Sequence, residues 1–451
     1  MSKMDIAALL ERGLGECPCG RSHKTDLRWV RVGEDALAAL PEMLEALYAR
    51  RPMLVCDQNT WDAAGARAAA ILDGAGIPYG LYRFETRARL NPAEWELGSL
   101  AMRFDPACDL ILGVGGGVIN DLCKLLGKAA GRPTAIVGTA PSMDGFASNS
   151  GAMEVGGIKK TIYTPAPAAV LLDTGVLAKS RKWMRLAGVG DMIAKYVSIC
   201  EWRISHLING EYYCERVADM MREALSGVME NLEGVVCGDP AACGAVGDGL
   251  VRAGMAMAYA QVSRPASGLE HCFSHIWEMM ALERGRPYEL HGIQVGVGTM
   301  LTLRNYKKVR ALRPTMARVE AAIAAFDQQA WEANLRRVFG SAAEALIEQE
   351  KTQRKNDPEG RRRRAEKIIG HWDEILRIID EELPRYEALR ARMEAIGLPM
   401  RPEDIGISRQ DALDAFVCSR DIRDRYLSTS MLWDAGLLDE CADYMKTEVL
   451  T

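Results

Sequence analysis

No stretch of this 451-residue chain approaches the about 18 uncharged apolar residues that a transmembrane helix needs, so no membrane span is expected. A surplus of positive charge is also missing. The 56 Lys and Arg stand against 61 Asp and Glu, a formal net charge of −5. A dedicated nucleic-acid binder carries a strongly basic face, so no nucleic-acid partner is expected either. Residues 1–15 include Lys3, Asp5, Glu11 and Arg12 and hold no long apolar stretch, which does not read as a secretory signal. The 12 cysteines are therefore expected as reduced thiols in a cytoplasmic protein. Cys108, Cys123, Cys200 and Cys214 lie in apolar runs and read as small core residues. Aromatics are few, at 6%, but the 48% hydrophobic content and the length supply a core that needs no disulfide or metal staple. Disorder and coiled coil are excluded as descriptions of the whole chain.

What is present is first a pattern. PMLVCD ends at Asp57, DLILG runs into GVGGG at residue 113, and TAIVGTAP follows Pro133. These short apolar runs alternate with helical segments at 62–75 and 118–130, which predicts a parallel sheet with crossover helices. Ligands of such sheets bind beyond the carboxyl ends of the strands. Asp57, the glycine turn and Thr139–Ser142 all fall there. From about Thr174 helical periodicity takes over. Pro165 and Pro167 punctuate the change, and the predicted domains are residues 1–170 and 171–451. Basic and acidic residues interleave through 351–400, including Arg361 to Arg364, which reads as long, solvated, salt-bridged helices.

Two constellations carry chemistry. In Gly113-Val114-Gly115-Gly116-Gly117 the glycines would let backbone amides approach a pyrophosphate, and the following helix would offer its N-terminus. The GxGxxG spacing is not there, and a tight turn without ligand explains the segment almost as well. Asp57 could accept ribose hydroxyls or simply cap a helix. The second constellation uses three of only six histidines. His271 and His275 stand at i and i+4 on one helical face, and His291 follows a Gly/Pro-containing connection. With Asp191, which follows Gly190, two imidazoles and a carboxylate suit a divalent cation with open positions for a substrate oxygen. Cys17-Pro18-Cys19-Gly20 with His23 is a weaker cluster. It reads as half a zinc site with no fourth ligand at suitable spacing, or as a mobile N-terminal segment.

Together these segments resemble the metal-dependent, iron-type polyol dehydrogenase and dehydroquinate synthase superfamily, and within it the sn-glycerol-1-phosphate dehydrogenases. The matching stretches, in family order, are GVGGGVINDLCK (113–124), GTAPSMDGFAS (138–148), AGVGDMIAKYVSICEWRIS (187–205), SRPASGLEHCFSHIWEM (263–279) and LHGIQVGVGTM (290–300). The resemblance implies an α/β N-terminal dinucleotide-binding domain plus an all-α C-terminal domain, with an extra charged helical segment near the C-terminus. It assigns the metal to Asp191, His271 and His291, with zinc first and nickel or iron as alternatives. It assigns NAD or NADP to Gly115, Gly116 and Gly117, with Asp121 in the helix after the turn, Asp57 at the ribose and Thr139 and Ser142 nearer the nicotinamide. His275 becomes a catalytic neighbour of the metal, Asp144 a catalytic residue facing substrate, and Ser148 lies where cofactor and substrate meet. Lys159 or Lys160 could meet a substrate phosphate.

The implied reaction is hydride transfer from NAD(P)H to dihydroxyacetone phosphate, giving sn-glycerol 1-phosphate. The implied partners are that small phosphorylated three-carbon substrate and further copies of the chain in a homo-oligomer. Met143 departs from the polar residue that the resemblance leads one to expect. Rival readings are a dehydrogenase of free glycerol or another polyol, a dehydroquinate synthase-type lyase, and a non-catalytic protein that kept the fold. The lyases carry glutamate where Asp191 stands, and the intact Asp191, His271 and His291 oppose a non-catalytic role.

Overall fold

Side chains alternate across a strand, and here both faces of each central strand are apolar. In β2 (Pro52–Asp57), Leu54 and Cys56 enter one core cluster, while Met53 and Val55 enter another. A strand buried on both faces belongs to a parallel sheet covered by helices on each side. The computed structural model, which describes residues 5–156 and 158–450, has that architecture. Besides β2, the strands of the main sheet are β1 (Trp29–Gly33), β3 (Gly80–Phe84), β4 (Leu110–Gly115), β5 (Thr134–Gly138) and β8 (Ala169–Asp173). Their order is β1-β8-β5-β4-β2-β3, and every pairing is parallel. A separate antiparallel hairpin joins β6 (Ser150–Val155) to β7 (Ile158–Tyr163).

The chain divides into two units, residues 1–192 with 214–265 and residues 193–213 with 266–451. In the first, the helices Leu40–Ala46 and Ala66–Gly74 send Leu40, Met43, Ala68 and Leu72 to one sheet face. The helix Gly117–Ala130 sends Ile119, Leu122, Cys123 and Leu126 to the other. Each of the leucine, isoleucine and methionine side chains contributes about 1.5–3 kcal/mol by leaving water, the smaller ones less. The helix Pro240–Ala260 packs on β1 and β8, so it belongs with the sheet rather than with the later helices.

The second unit is helical. Its buried carboxylate Glu201 accepts the amides of Leu269 and Ser428, each at 3.0 Å. Those residues open the helices Leu269–Glu283 and Ser428–Asp434, so one anion serves two positive helix ends. The Tyr306 hydroxyl donates to the same carboxylate at 3.3 Å. Burial, and then the Glu201 charge, push the Tyr306 pKa well up, so it stays a donor.

The arginine run at 361–364 is only partly solvated. Arg362 pairs with Glu320 at 2.7 Å and Arg364 with Asp434 at 2.7 Å. Arg361 is buried instead, its guanidinium 4.1 Å from the Trp433 ring centroid, with Arg420 at 4.0 Å from the same centroid. A ring face attracts cations, which sequence alternation alone does not reveal. No helix among the described residues is long and apolar enough to cross a membrane.

At Gly115 the strand meets the next helix so closely that an added Cβ would lie 2.6 Å from Ile119 Cβ. Gly115→Ala is expected to cost about 1–3 kcal/mol. A thermal melt should fall by about 2–4 °C per kcal/mol lost; an unchanged melt would show that the turn relaxes.

Candidate metal and nucleotide site

Because the strands are parallel neighbours, β2, β4 and β5 end on one edge, at Asp57, Gly115 and Gly138. The glycine turn lies there. Gly115 serves strand-to-helix packing, and a Cβ on Gly117 would come 3.0 Å from Met143 Cε. Gly116 differs. It is the N-cap of the helix Gly117–Ala130, and a Cβ there would meet nothing nearer than 3.9 Å, where Met184 Cε and Ser142 Oγ stand. That is an open cradle at a helix N-terminus, the geometry a pyrophosphate uses. The Thr139 amide donates to the Gly115 carbonyl at 3.1 Å, holding the Thr139–Ser142 segment beside the turn.

Asp57 makes a capping box. Its Oδ1 accepts the Thr60 amide at 2.7 Å, and its own amide donates to Thr60 Oγ1 at 2.9 Å. Asp121 bonds the hairpin through the Ala152 amide at 3.2 Å and pairs with Lys124 at 3.1 Å. Lys124 is a buried hub. Its ammonium donates to the Gly145 carbonyl at 3.0 Å and to Ser148 Oγ at 3.3 Å, and also to the Ser150 carbonyl. Ser148 Oγ in turn donates to the Gly145 or Ser150 carbonyl, each at 3.1 Å. Met143, the departure noted above, turns its Sδ back to accept the Gly145 amide at 2.9 Å. In the same unit Asp191 is fully buried, and its Oδ2 accepts the Asp144 amide at 2.8 Å. Lys160 is exposed on the hairpin and Lys159 half-buried, in register with Met153 and Glu154.

In the second unit the three histidines come together. Ring centroids are 5.2 Å apart for His271 and His291, 5.4 Å for His275 and His291 and 6.3 Å for His271 and His275. The first helix presents His271 and His275 one turn apart; the second helix, His291–Val309, begins at His291. Hydrogen bonding decides their tautomers. His271 Nδ1 lies 2.8 Å from the buried Glu270 carboxylate, which only accepts. Nδ1 therefore carries the proton and Nε2 the lone pair. Ser274 Oγ donates its single proton to Gln294 Oε1 at 2.8 Å. It must then accept from His291 Nδ1, at 3.0 Å, so His291 also keeps its lone pair on Nε2.

A carboxylate or hydroxyl behind each imidazole is the outer shell of a metal-binding histidine. The donor set suits a borderline divalent cation. His275 lies 3.8 Å from Glu278. Burial, then the Arg423 charge, push its pKa well below the usual histidine value, so it is neutral near pH 7. Glu270, Ser274 and Gln294 have no role on sequence grounds, and Lys124 is placed with Asp121 only in the helix after the turn. The first three carry a signal: Glu270 adjoins His271, while Ser274 and Gln294 sit one turn after His271 and His291. His206 and His371 are exposed and stand apart.

Residues 31–180 match the iron-containing alcohol dehydrogenase family. Over 300 residues the chain is 34% identical to a glycerol-1-phosphate dehydrogenase [NAD(P)+] of Halalkalibacterium halodurans, covering 66% of this chain and 75% of that one. The chain belongs to the glycerol-1-phosphate dehydrogenase family. A Geobacillus stearothermophilus member is 29% identical over 88% of this chain and 89% of its own. The Hyperthermus butylicus member, at 33% identity, aligns with 62% of this chain and 79% of its own. Two solved structures share the fold. A glycerol dehydrogenase of Schizosaccharomyces pombe has TM-score 0.59 at 14% identity, covering 94% of this chain and 92% of that one. A 1,3-propanediol oxidoreductase has TM-score 0.60 at 15% identity, covering 92% and 98%. The expected α/β domain with a helical domain is thus the observed architecture.

In metal-free protein, nitrogen-15 NMR should find His291 protonated at Nδ1, and Ser274→Ala should mix the two tautomers. Retention of the Nδ1 form in the variant would remove Ser274 from that role.

Proposed function

We propose that this chain reduces dihydroxyacetone phosphate to sn-glycerol 1-phosphate with NADH or NADPH and a divalent metal. The observation that carries the reading is the 34% identity to a glycerol-1-phosphate dehydrogenase over 75% of that protein. The paired histidines with lone pairs on Nε2 support it. Asp191, His271 and His291 would hold the cation, with zinc favoured over nickel or iron. Gly115, Gly116, Gly117, Thr139 and Ser142 would line the dinucleotide, and the open position at Gly116 is the specific support. Asp57 would reach the ribose with the oxygen its capping box does not use.

When bound, the cation polarises a carbonyl oxygen and the reduced nicotinamide supplies a hydride. The chain's own part is positioning and proton handling. Glu270 and Ser274 hold the two imidazoles in one tautomer each. Neutral His275 holds one proton and one lone pair, which lets it pass a proton toward the substrate oxygen. Asp144, its amide held by Asp191, would face the substrate. Asp121 and Ser148 would act through the hairpin and the 144–148 turn rather than by touching the cofactor. The same reading places the protein in the cytoplasm as a homo-oligomer.

NADH and NADPH oxidation, measured with added metal, should proceed with dihydroxyacetone phosphate and not with dihydroxyacetone. His271→Ala should abolish it. Turnover of the unphosphorylated ketone alone would move the chain to the free-polyol dehydrogenases. Glu270→Gln should keep the fold and lower metal affinity about 10–100-fold, read by metal titration. Gly116→Ala should cost no more than about 1 kcal/mol through a weakened N-cap and should weaken nucleotide binding; equal binding would deny the cradle.

A further inference from the structure

The N-terminal CPCG segment, half a metal site on sequence grounds, is completed in the fold. Cys214, far along the chain, stands beside it. The Cys17 and Cys214 sulfurs are 3.4 Å apart. Cys19 Sγ is 3.2 Å and Cys214 Sγ 3.5 Å from His23 Nε2. All four ligand atoms lie within 4.8 Å of one another. Tetrahedral zinc with bonds of about 2.3 Å to sulfur and 2.0–2.1 Å to nitrogen has edges of roughly 3.6–3.8 Å, so the cluster needs only small shifts to close on one ion. No disulfide joins these cysteines.

The imidazole is already prepared. His23 is buried, and its Nδ1 lies 3.1 Å from the Tyr259 carbonyl oxygen. A carbonyl only accepts, so Nδ1 carries the proton and the Nε2 lone pair faces the thiols. That is the outer-shell bond of a metal-binding histidine. The backbone supports the same geometry. The Gly20 amide donates to the Cys17 carbonyl at 3.0 Å, closing a turn at CPCG, with Gly20 at φ 76°. The segment is also anchored elsewhere: Arg216 donates to the Glu16 carbonyl and the Tyr259 hydroxyl to the Leu9 carbonyl, each at 2.7 Å.

We propose that Cys17, Cys19, His23 and Cys214 form a second, structural metal site that takes a zinc-class cation and staples the N-terminal segment to the 214–265 part of the first unit. Four protein ligands close the site, unlike a catalytic centre that keeps a position open. Soft thiolates select zinc over harder cations. Binding releases the three thiol protons, leaving a Cys3His site of net charge −1. The proposal stands apart from the proposed reaction, since none of its ligands belongs to the histidine cluster.

The full-length chain is stripped of metal and titrated with cobalt(II), then with zinc. The Cys3His site should give the near-ultraviolet thiolate-to-cobalt charge-transfer band and intense visible bands of tetrahedral cobalt, displaced by one equivalent of zinc. The proposed Asp191, His271 and His291 set holds no thiolate and cannot give that band. His271→Ala should therefore retain it, while Cys19→Ser and Cys214→Ser should lose it. As isolated, wild type should carry one more zinc per chain than either cysteine variant. If a variant fails to fold, the cobalt spectrum of wild type against His271→Ala still decides. Cobalt binding without a thiolate band, or a Cys17–Cys214 disulfide by mass spectrometry of the unreduced protein, would overturn the proposal.

Discussion

A single buried carboxylate organises the helical unit. Glu201 accepts the first amides of two helices and a tyrosine hydroxyl. A buried charge is tolerated only where donors surround it, so these groups are held to one arrangement. The same carboxylate reaches the turn before His271. A Cβ on Gly268 would meet Glu201 Oε2 and Glu270 Oε2, each at 2.8 Å. Glu270 then binds the Gly268 amide at 2.7 Å and His271 Nδ1 at 2.8 Å. Glu201 thus fixes the helix start, and Glu270 beside it fixes the His271 tautomer and the direction of its Nε2 lone pair.

The first unit works by close approach rather than charge. Gly115 and Gly117 let the turn pack against Ile119 and Met143, and Gly116 is left facing open space. Three adjacent glycines thus have different tasks, and only one of them leaves room for a ligand's oxygens. Lys124 ties the other side of the turn, with donors to the carbonyls of Gly145 and Ser150. Its charge is paired with Asp121 and used to hold backbone, which explains how a lysine is tolerated with almost no exposure.

Helix periodicity with alternating charge predicts solvated faces, and Arg362 with Glu320 behaves that way. Arg361 shows where the rule stops. Its neighbours in space, Trp433 and Arg420, come from a later part of the chain, and the ring contact together with donation to the Ala322 and Trp433 carbonyls offsets its burial.

The sequence by itself determined the short-range features. PMLVCD, DLILG and TAIVG are nearly continuous apolar runs four to six residues long, a length and composition that favour buried parallel strands. The i, i+4 spacing of His271 and His275 placed both on one helical face. Strands β1 and β3, at the sheet edges, and the hairpin were not legible, because edge position and mixed polarity blur a period of two; β8, apolar and inside the sheet, lies just after Pro165 and Pro167, where the change to helical periodicity masked it. Tertiary structure alone decided the rest. It assigned Asp57 a capping box, which the residue type allowed equally with a ribose contact. It placed the Pro240–Ala260 helix with the sheet, against a boundary expected near residue 170. It brought Cys214 to the CPCG turn across a separation of 197 residues from Cys17. Local spacing carries periodicity and turn chemistry, whereas a partner so distant is chosen by packing of the whole unit, which no window of sequence contains.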